Sequence, residues 1–412
     1  MSRLEKQSYF AYLWHGVFLA LTMSMLDLNT VFPTLVDTLT SQPIVFGILY
    51  SMMLGVPLVF NIVFSHHLRK IIYKKKFLIM GMYLRGIAFL GMAIMTYYFA
   101  LSNPSLTIAS YFIFVFMFSI SAGFAGISYS DILGKTIQRE NRTTLYSIKQ
   151  LLSAVAGIIG GLIITRIFNL GIAFPMNYTI SLMIGFIGLF IASIGFWILK
   201  EPPSIIGETT TTFGDYIKEI PTVLKTDLSF KRYIVVENLS SFSIMILPFY
   251  IIYAKNVFNL ENRYIGIYLL IQIIGTVVSN IIWGLIAKKT SAKRVVLVCI
   301  LLGGTNPLIA LILGMTSPIL YGIIFFILGF TISGRKVGFE PFLLDLSPDA
   351  KRVQYLGIRG SLNVLVVLLP LAGALFIDYI GYTVTFSIVF AVMMLAAILL
   401  TGIDKQVIED CQ

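Results

Sequence analysis

The sequence predicts an all-α integral membrane protein: twelve transmembrane helices in two pseudo-symmetric six-helix bundles, with both termini cytoplasmic. Composition, the spacing of apolar stretches and the placement of basic residues carry this reading. Of 412 residues, 58% are hydrophobic and 12% charged, whereas a soluble domain is about a quarter charged. So few charges cannot coat a soluble globule, and the same arithmetic excludes a disordered chain, a coiled coil and a disulfide scaffold. A spanning helix takes about 20 apolar residues, so the length accommodates about a dozen spans with short connections and no sizeable soluble domain.

Apolar stretches bounded by charges or turn residues run over 9–36, 43–65, 77–101, 105–130, 147–170, 178–199, 233–255, 264–287, 294–315, 318–343, 354–379 and 382–403. The first, fourth, tenth and eleventh exceed the bilayer thickness and must tilt, kink or project from it. The stretch after Arg3 and Lys6 is too long for a signal peptide and has no small-residue cleavage site, so it is expected to stay as the first span. With the N-terminus inside, 23 of the 30 Lys and Arg fall in inner loops and only Lys255 and Arg263 in outer ones. That asymmetry places both termini in the cytoplasm of a multi-pass protein, as in a bacterial-type cytoplasmic (inner) membrane. The net charge of +11 then belongs to the loops; no basic stripe or nucleic-acid-binding signature accompanies it.

The longest polar stretch, with Pro202, Pro203 and Thr209 to Thr212, leads into an amphipathic piece that can lie on the membrane surface. It divides the chain into an N-terminal bundle over 1–200, a cytoplasmic linker over 201–232 and a C-terminal bundle over 233–412. The halves repeat one another. Span four ends near Asp131 and is followed by Arg142; span ten ends near Asp345 and is followed by Arg352. Basic loops follow the second span of each half, around Arg69 and Lys70 and around Lys288 and Lys293. An internal six-plus-six repeat suits two bundles rocking about a midplane site.

These features resemble the major facilitator superfamily over nearly the whole chain. That family's loop motif is Gly, three residues, Asp, two residues, Gly, Arg, then Arg or Lys. The matching positions here read Asn61, Ser65, Leu68, Arg69 and Lys70 in the first half, and Gly284, Lys288, Ser291, Ala292 and Lys293 in the second. The basic charge is kept and the Asp is not, so the likeness rests on architecture and on the Asp131–Arg142 and Asp345–Arg352 segments. Drug/proton antiporters of the superfamily carry Gly-Pro in span five; here Gly157, Gly160 and Gly161 stand without a proline, which points to close helix packing. The resemblance implies a cavity lined by spans one, four, seven and ten.

A charge within hydrocarbon is costly unless it faces a cavity or a partner, so the intramembrane charges mark the candidate site. In span one, Asp27, near Asn29, can act as a proton-binding or cation-binding carboxylate or simply as a solvated group near the outer mouth. Span seven offers Glu237, Asn238 and Ser241, with Glu237 and Ser241 four residues apart on one face; the alternative is a Glu237 paired with loop cations. Span ten offers Arg335, Lys336 and Glu340; Lys336 and Glu340 are spaced to pair, and Arg335 has a fixed charge suited to a carboxylate or phosphate. These residues fit substrate or proton binding, and those of span ten fit a gate equally well. Arg69, Asp131, Arg142, Asp345, Arg352 and Arg359 are the candidate gating residues, with helix capping as the other reading of those at helix ends.

Cys299 and Cys411 form no disulfide framework, and His15, His66 and His67 lack a carboxylate or Cys at ligand spacing, so no metal is expected. No phosphate-binding loop, serine elbow or zinc helix is present, so no cofactor and no enzymatic activity are expected. The expected function is that of a monomeric secondary active transporter moving a small solute by alternating access. The expected driver is a proton, and the expected substrate an anionic or zwitterionic metabolite. The alternatives are a multidrug or lipid-like exporter and a non-transporting membrane sensor or assembly factor.

Overall fold

The computed structural model describes residues 2–68, 71–203, 213–346, 355, 358–360 and 362–403. In chain order its helices are α1 (Arg3–Met25), α2 (Val31–Leu39), α3 (Pro43–Leu68), α4 (Lys75–Phe99), α5 (Pro104–Thr136), α6 (Arg139–Asn169) and α7 (Met176–Ile198). Then come α8 (Phe213–Thr226), α9 (Leu228–Ser240), α10 (Phe249–Phe258), α11 (Arg263–Lys289), α12 (Ala292–Leu313), α13 (Pro318–Leu346) and α14 (Leu369–Thr401), with 3₁₀ turns at Ser241–Met245 and Asn363–Leu368.

Helices begin where the sequence supplies caps. Ser2 Oγ accepts the Glu5 N–H at 3.1 Å ahead of α1, and Asn103 Oδ1 accepts the Leu106 N–H at 3.0 Å ahead of α5, whose first turn holds Pro104. Asp227 Oδ1 accepts the Phe230 N–H at 2.8 Å ahead of α9. Each oxygen satisfies one of the N–H groups that a first turn leaves without an intrahelical partner.

Among the described residues, ten helical segments are long and apolar enough to cross a membrane, which makes the chain a multi-pass integral membrane protein. The stretch expected as the first span is not one of them. It is two helices, α1 and α2, interrupted between Met25 and Val31. The polar Glu5, Ser8, His15, Thr22 and Ser24 lower the apolar character of α1, which buries all five. The final segment, Val366–Thr401, runs for 36 residues, but Gly381 leaves helical geometry within it at φ 77°. The stretches expected to end at 379 and to begin at 382 meet at that glycine.

Contacts divide the chain into two compact units, Met1–Gly207 with Ile251–Ile273, and Glu208–Tyr250 with Ile274–Gln412. In the first, α1 packs on α6 and α7, α4 on α5 and α7, and α3 on α5. Gly160 lets α6 close on α1, since a Cβ there would stand 2.6 Å from the Ser24 Cβ. Residues 251–273 are held in this unit by Lys255, whose Nζ donates to Asp37 Oδ2 at 2.6 Å and to Thr38 Oγ1 at 3.2 Å. In the second unit α12 packs on α13 and α14, and α14 packs on α9 and the 3₁₀ turn that follows it. Gly373 of α14 lies so close to the Met245 carbonyl that an added methyl group would overlap it.

Candidate functional site

Each unit contains a helical stretch that breaks beside a carboxylate. In the first unit the break between α1 and α2 is organised by Asp27. Its Oδ1 accepts the Asn29 N–H at 2.9 Å and the Thr30 hydroxyl at 2.9 Å, while its carbonyl accepts the Phe32 N–H at 2.9 Å. A short acidic side chain that bonds the backbone two residues on is what lets the chain leave one helix and start another. Gln272 Nε2 reaches Asp27 Oδ2 at 3.4 Å from α11. These three donors to the carboxylate, an amide N–H, a hydroxyl and a glutamine amide, are all neutral. Nearby, Thr34 donates to the Thr30 carbonyl at 2.8 Å and receives the Tyr178 hydroxyl at 3.1 Å. Asn29 is buried, and its Oδ1 has no partner among the described residues.

In the second unit, α9 tightens after Ser240 into the 3₁₀ turn before α10 resumes the path. Ser240 and Ser241 Oγ donate to the Glu237 carbonyl at 2.8 and 2.7 Å. Such back-bonding by serines bends a helix. Glu237 is 2% exposed, and its carboxylate takes a two-pronged grip from Arg359. Arg359 Nε lies 2.8 Å from Oε1 and 3.0 Å from Oε2, and Nη2 lies 2.6 Å from Oε1. The fork geometry of a guanidinium matches a carboxylate in this way. Arg335, from α13, instead bonds the broken backbone: Nη1 donates to the Ser240 carbonyl and hydroxyl at 3.0 Å each, and Nη2 to Ser241 Oγ at 2.8 Å. Its guanidinium carbon also lies 4.8 Å from the Phe339 ring centroid. Among the described residues Arg335 makes no ion pair with a carboxylate. Asn238 Nδ2 donates to the Ile234 carbonyl at 2.9 Å and reaches Asn363 Oδ1 at 3.4 Å.

The structure thus brings Glu237, Asn238, Ser241, Arg335 and Arg359 together at one break and places Asp27 and Asn29 at the other. Lys336 and Glu340 are exposed on α13 and form no ion pair with each other. Asp131 meets Lys74 at 3.0 Å and Lys135 at 2.5 Å. Asp345 is exposed near the end of α13. Arg69, the side chain of Arg142 and Arg352 lie outside the described residues.

Sequence reasoning missed Glu201. Its carboxylate accepts the N–H groups of Lys74 and Lys75 at 2.8 Å each, where α4 begins, and the Lys135 ammonium at 3.0 Å. An anion at a helix N-terminus satisfies open donors and complements the helix dipole. The available signal was an acid between Lys200, which ends an apolar stretch, and Pro202-Pro203. Lys75 Nζ completes the clamp by donating to the Trp197 and Leu199 carbonyls at 2.8 and 2.7 Å, at the end of α7.

Residues 233–408 match the family model of the Major Facilitator Superfamily. The whole chain is similar in fold to the peptide transporter POT in complex with sulfate, with a TM-score of 0.72 at 12% identity over 96% of this chain and 94% of that one. It is similar to the nucleoside transporter NupG, with a TM-score of 0.70 at 12% identity over 98% and 99% of the two chains. A bacterial homologue of the human lysosomal transporter Spinster, in an inward-facing and unoccupied conformation, gives a TM-score of 0.60 at 11% identity over 97% and 95%. No curated protein matches the sequence.

Proposed function

We propose that this chain, whose residues 233–408 match the family model of the Major Facilitator Superfamily, is a secondary active transporter of that superfamily that moves a small anionic or zwitterionic solute by alternating access, driven by a proton. The single observation that carries the reading is the pair of broken helices, each with a carboxylate at its break. Irregular backbone at membrane depth is tolerated where it lines a cavity, and transporters place substrate and ion sites at such discontinuities.

The two carboxylates take different roles. Asp27, held by neutral donors, can accept a proton at the cost of hydrogen bonds alone. Protonating Glu237 would leave Arg359 without its counter-ion, so the pair serves to fix the second break. Arg335, with Ser241 and Asn238 beside it, offers fixed positive charge and polar groups to the solute from the second unit. Lys336 and Glu340 extend the polar surface of the same helix. Asp131, Asp345, Arg69, Arg142 and Arg352 serve as closing contacts at the basic helix ends, which face the cytoplasm.

The test begins with a thermal-shift screen of the purified protein against a metabolite library at two pH values, since a ligand that binds the folded state raises its melting temperature. Hits are then followed as flux into proteoliposomes under a proton gradient. Proton-driven flux that falls at least tenfold in Asp27→Asn is expected. Flux unchanged in both Asp27→Asn and Glu237→Gln would sink the proton assignment.

A further inference from the structure

The first unit holds a second group of polar side chains, separate from the Asp27 break. Lys149 of α6 donates its Nζ to the Tyr129 hydroxyl of α5 at 2.8 Å and lies 4.9 Å from that ring's centroid. His15 of α1 lies with its ring centroid 5.9 Å from Tyr129 and 4.7 Å from Phe196. The stem of Lys149 runs over Gly16, where a Cβ would stand 2.7 Å from Lys149 Cγ. Ser153, one turn further along α6, donates to the Gly16 carbonyl at 3.1 Å and fixes the register of the two helices at this level. His15 is 5% exposed, and its Nδ1 has no hydrogen-bond partner among the described residues. From α4, Arg85 donates to Ser121 Oγ at 3.2 Å and faces the Phe118 ring at 5.6 Å.

Neither Lys149 nor Arg85 forms an ion pair with a carboxylate of the described residues. Charge at membrane depth is retained when it meets a partner or a cavity ion, and a buried polar atom without a partner marks a group that is missing. Lys149, held by a neutral phenol with no acid beside it, lacks a negative charge.

We propose that Lys149 and Tyr129, packed beside His15, form a binding site for the carboxylate or phosphate group of a small soluble anion. This rests on the transport reading and deepens it, because the bound group is the head of the transported solute. Lys149 supplies a point charge and its remaining ammonium protons. Tyr129, whose oxygen already accepts from Lys149, keeps its own O–H to donate to the anion.

The test is a melting-temperature titration of the purified full-length protein in neutral detergent with sodium phosphate and with sodium succinate, against sodium chloride at matched ionic strength. A saturable rise with phosphate or succinate and none with chloride is expected; which of the two acts tells phosphate from carboxylate recognition. Lys149→Gln should weaken the apparent affinity at least tenfold, and Lys149→Arg should retain it. If Lys149→Gln does not fold, Tyr129→Phe provides the readout, with an expected loss of several-fold. No anion-specific rise in the unaltered protein would overturn the proposal. So would a rise that survives Lys149→Gln and disappears in Arg335→Gln, because the anion would then sit in the other unit. Stabilisation without solute flux would contradict transport and leave the anion site standing, whereas flux without stabilisation would do the reverse.

Discussion

The two helix breaks solve the same geometric problem with different electrostatics. At the first, Asp27 turns the chain and is met by an amide N–H, a hydroxyl and a glutamine. At the second, serines bend the helix, and Glu237 is gripped on both oxygens by Arg359. One carboxylate can change its charge without stranding another charge; the other cannot. Two breaks of like geometry thus differ in chemistry, and in the proposed transport cycle the difference separates the carboxylate that takes the proton from the one held in an ion pair.

The comparison is broken most forcefully at the second break. Removing either member of a buried ion pair leaves a charge without compensation and costs about 3–5 kcal/mol. Glu237→Gln and Arg359→Gln are therefore each expected to lower the melting temperature sharply. The double variant should recover much of the loss, and a double variant as unstable as the two losses combined would show that the pair is not the interaction being measured. Next come the packing contacts that hold each break in place. Gly373→Leu would drive α14 into the Met245 carbonyl, and Gly160→Leu would drive α6 into Ser24; each should destabilise by about 1–3 kcal/mol, read as thermal unfolding. Asp27→Asn keeps an acceptor for both of its local hydrogen bonds and should cost at most about 1 kcal/mol. It should nevertheless abolish proton-driven flux while leaving solute counterflow intact, and a melting temperature that falls as far as in Glu237→Gln would erase the contrast. The smallest effect belongs to Lys255→Ala. The side chains of its pair with Asp37 are 30% and 20% exposed, and such pairs contribute less than about 1 kcal/mol, so its stability change should also shrink with added salt.

Much of the fold was legible because apolar stretches are local signals. The charges at Asp27, Glu237, Arg335 and Arg359 stand out against their apolar neighbours. Their partners were not legible. Glu237 and Arg359 are 122 residues apart, and Lys255 meets Asp37 across 218; no periodicity encodes pairings at that range. Asp131 meets Lys74, 57 residues away, a pairing that no local spacing encodes. Lys149 reads as part of an inner loop because a run of charged residues precedes it. In the structure α6 already begins at Arg139, which carries Lys149 inward to Tyr129. The break at Asp27 was hidden for a similar reason, since its flanks are apolar enough to read as one long span.

The central claim, that Asp27 is the proton-handling carboxylate and Glu237 is not, can be examined without knowing the substrate. Infrared difference spectroscopy of the reconstituted protein across a pH titration follows the carbonyl stretch of a protonated carboxyl group. The account predicts a titrating band that disappears in Asp27→Asn and persists in Glu237→Gln. A band that survives Asp27→Asn, or vanishes in Glu237→Gln, would contradict it.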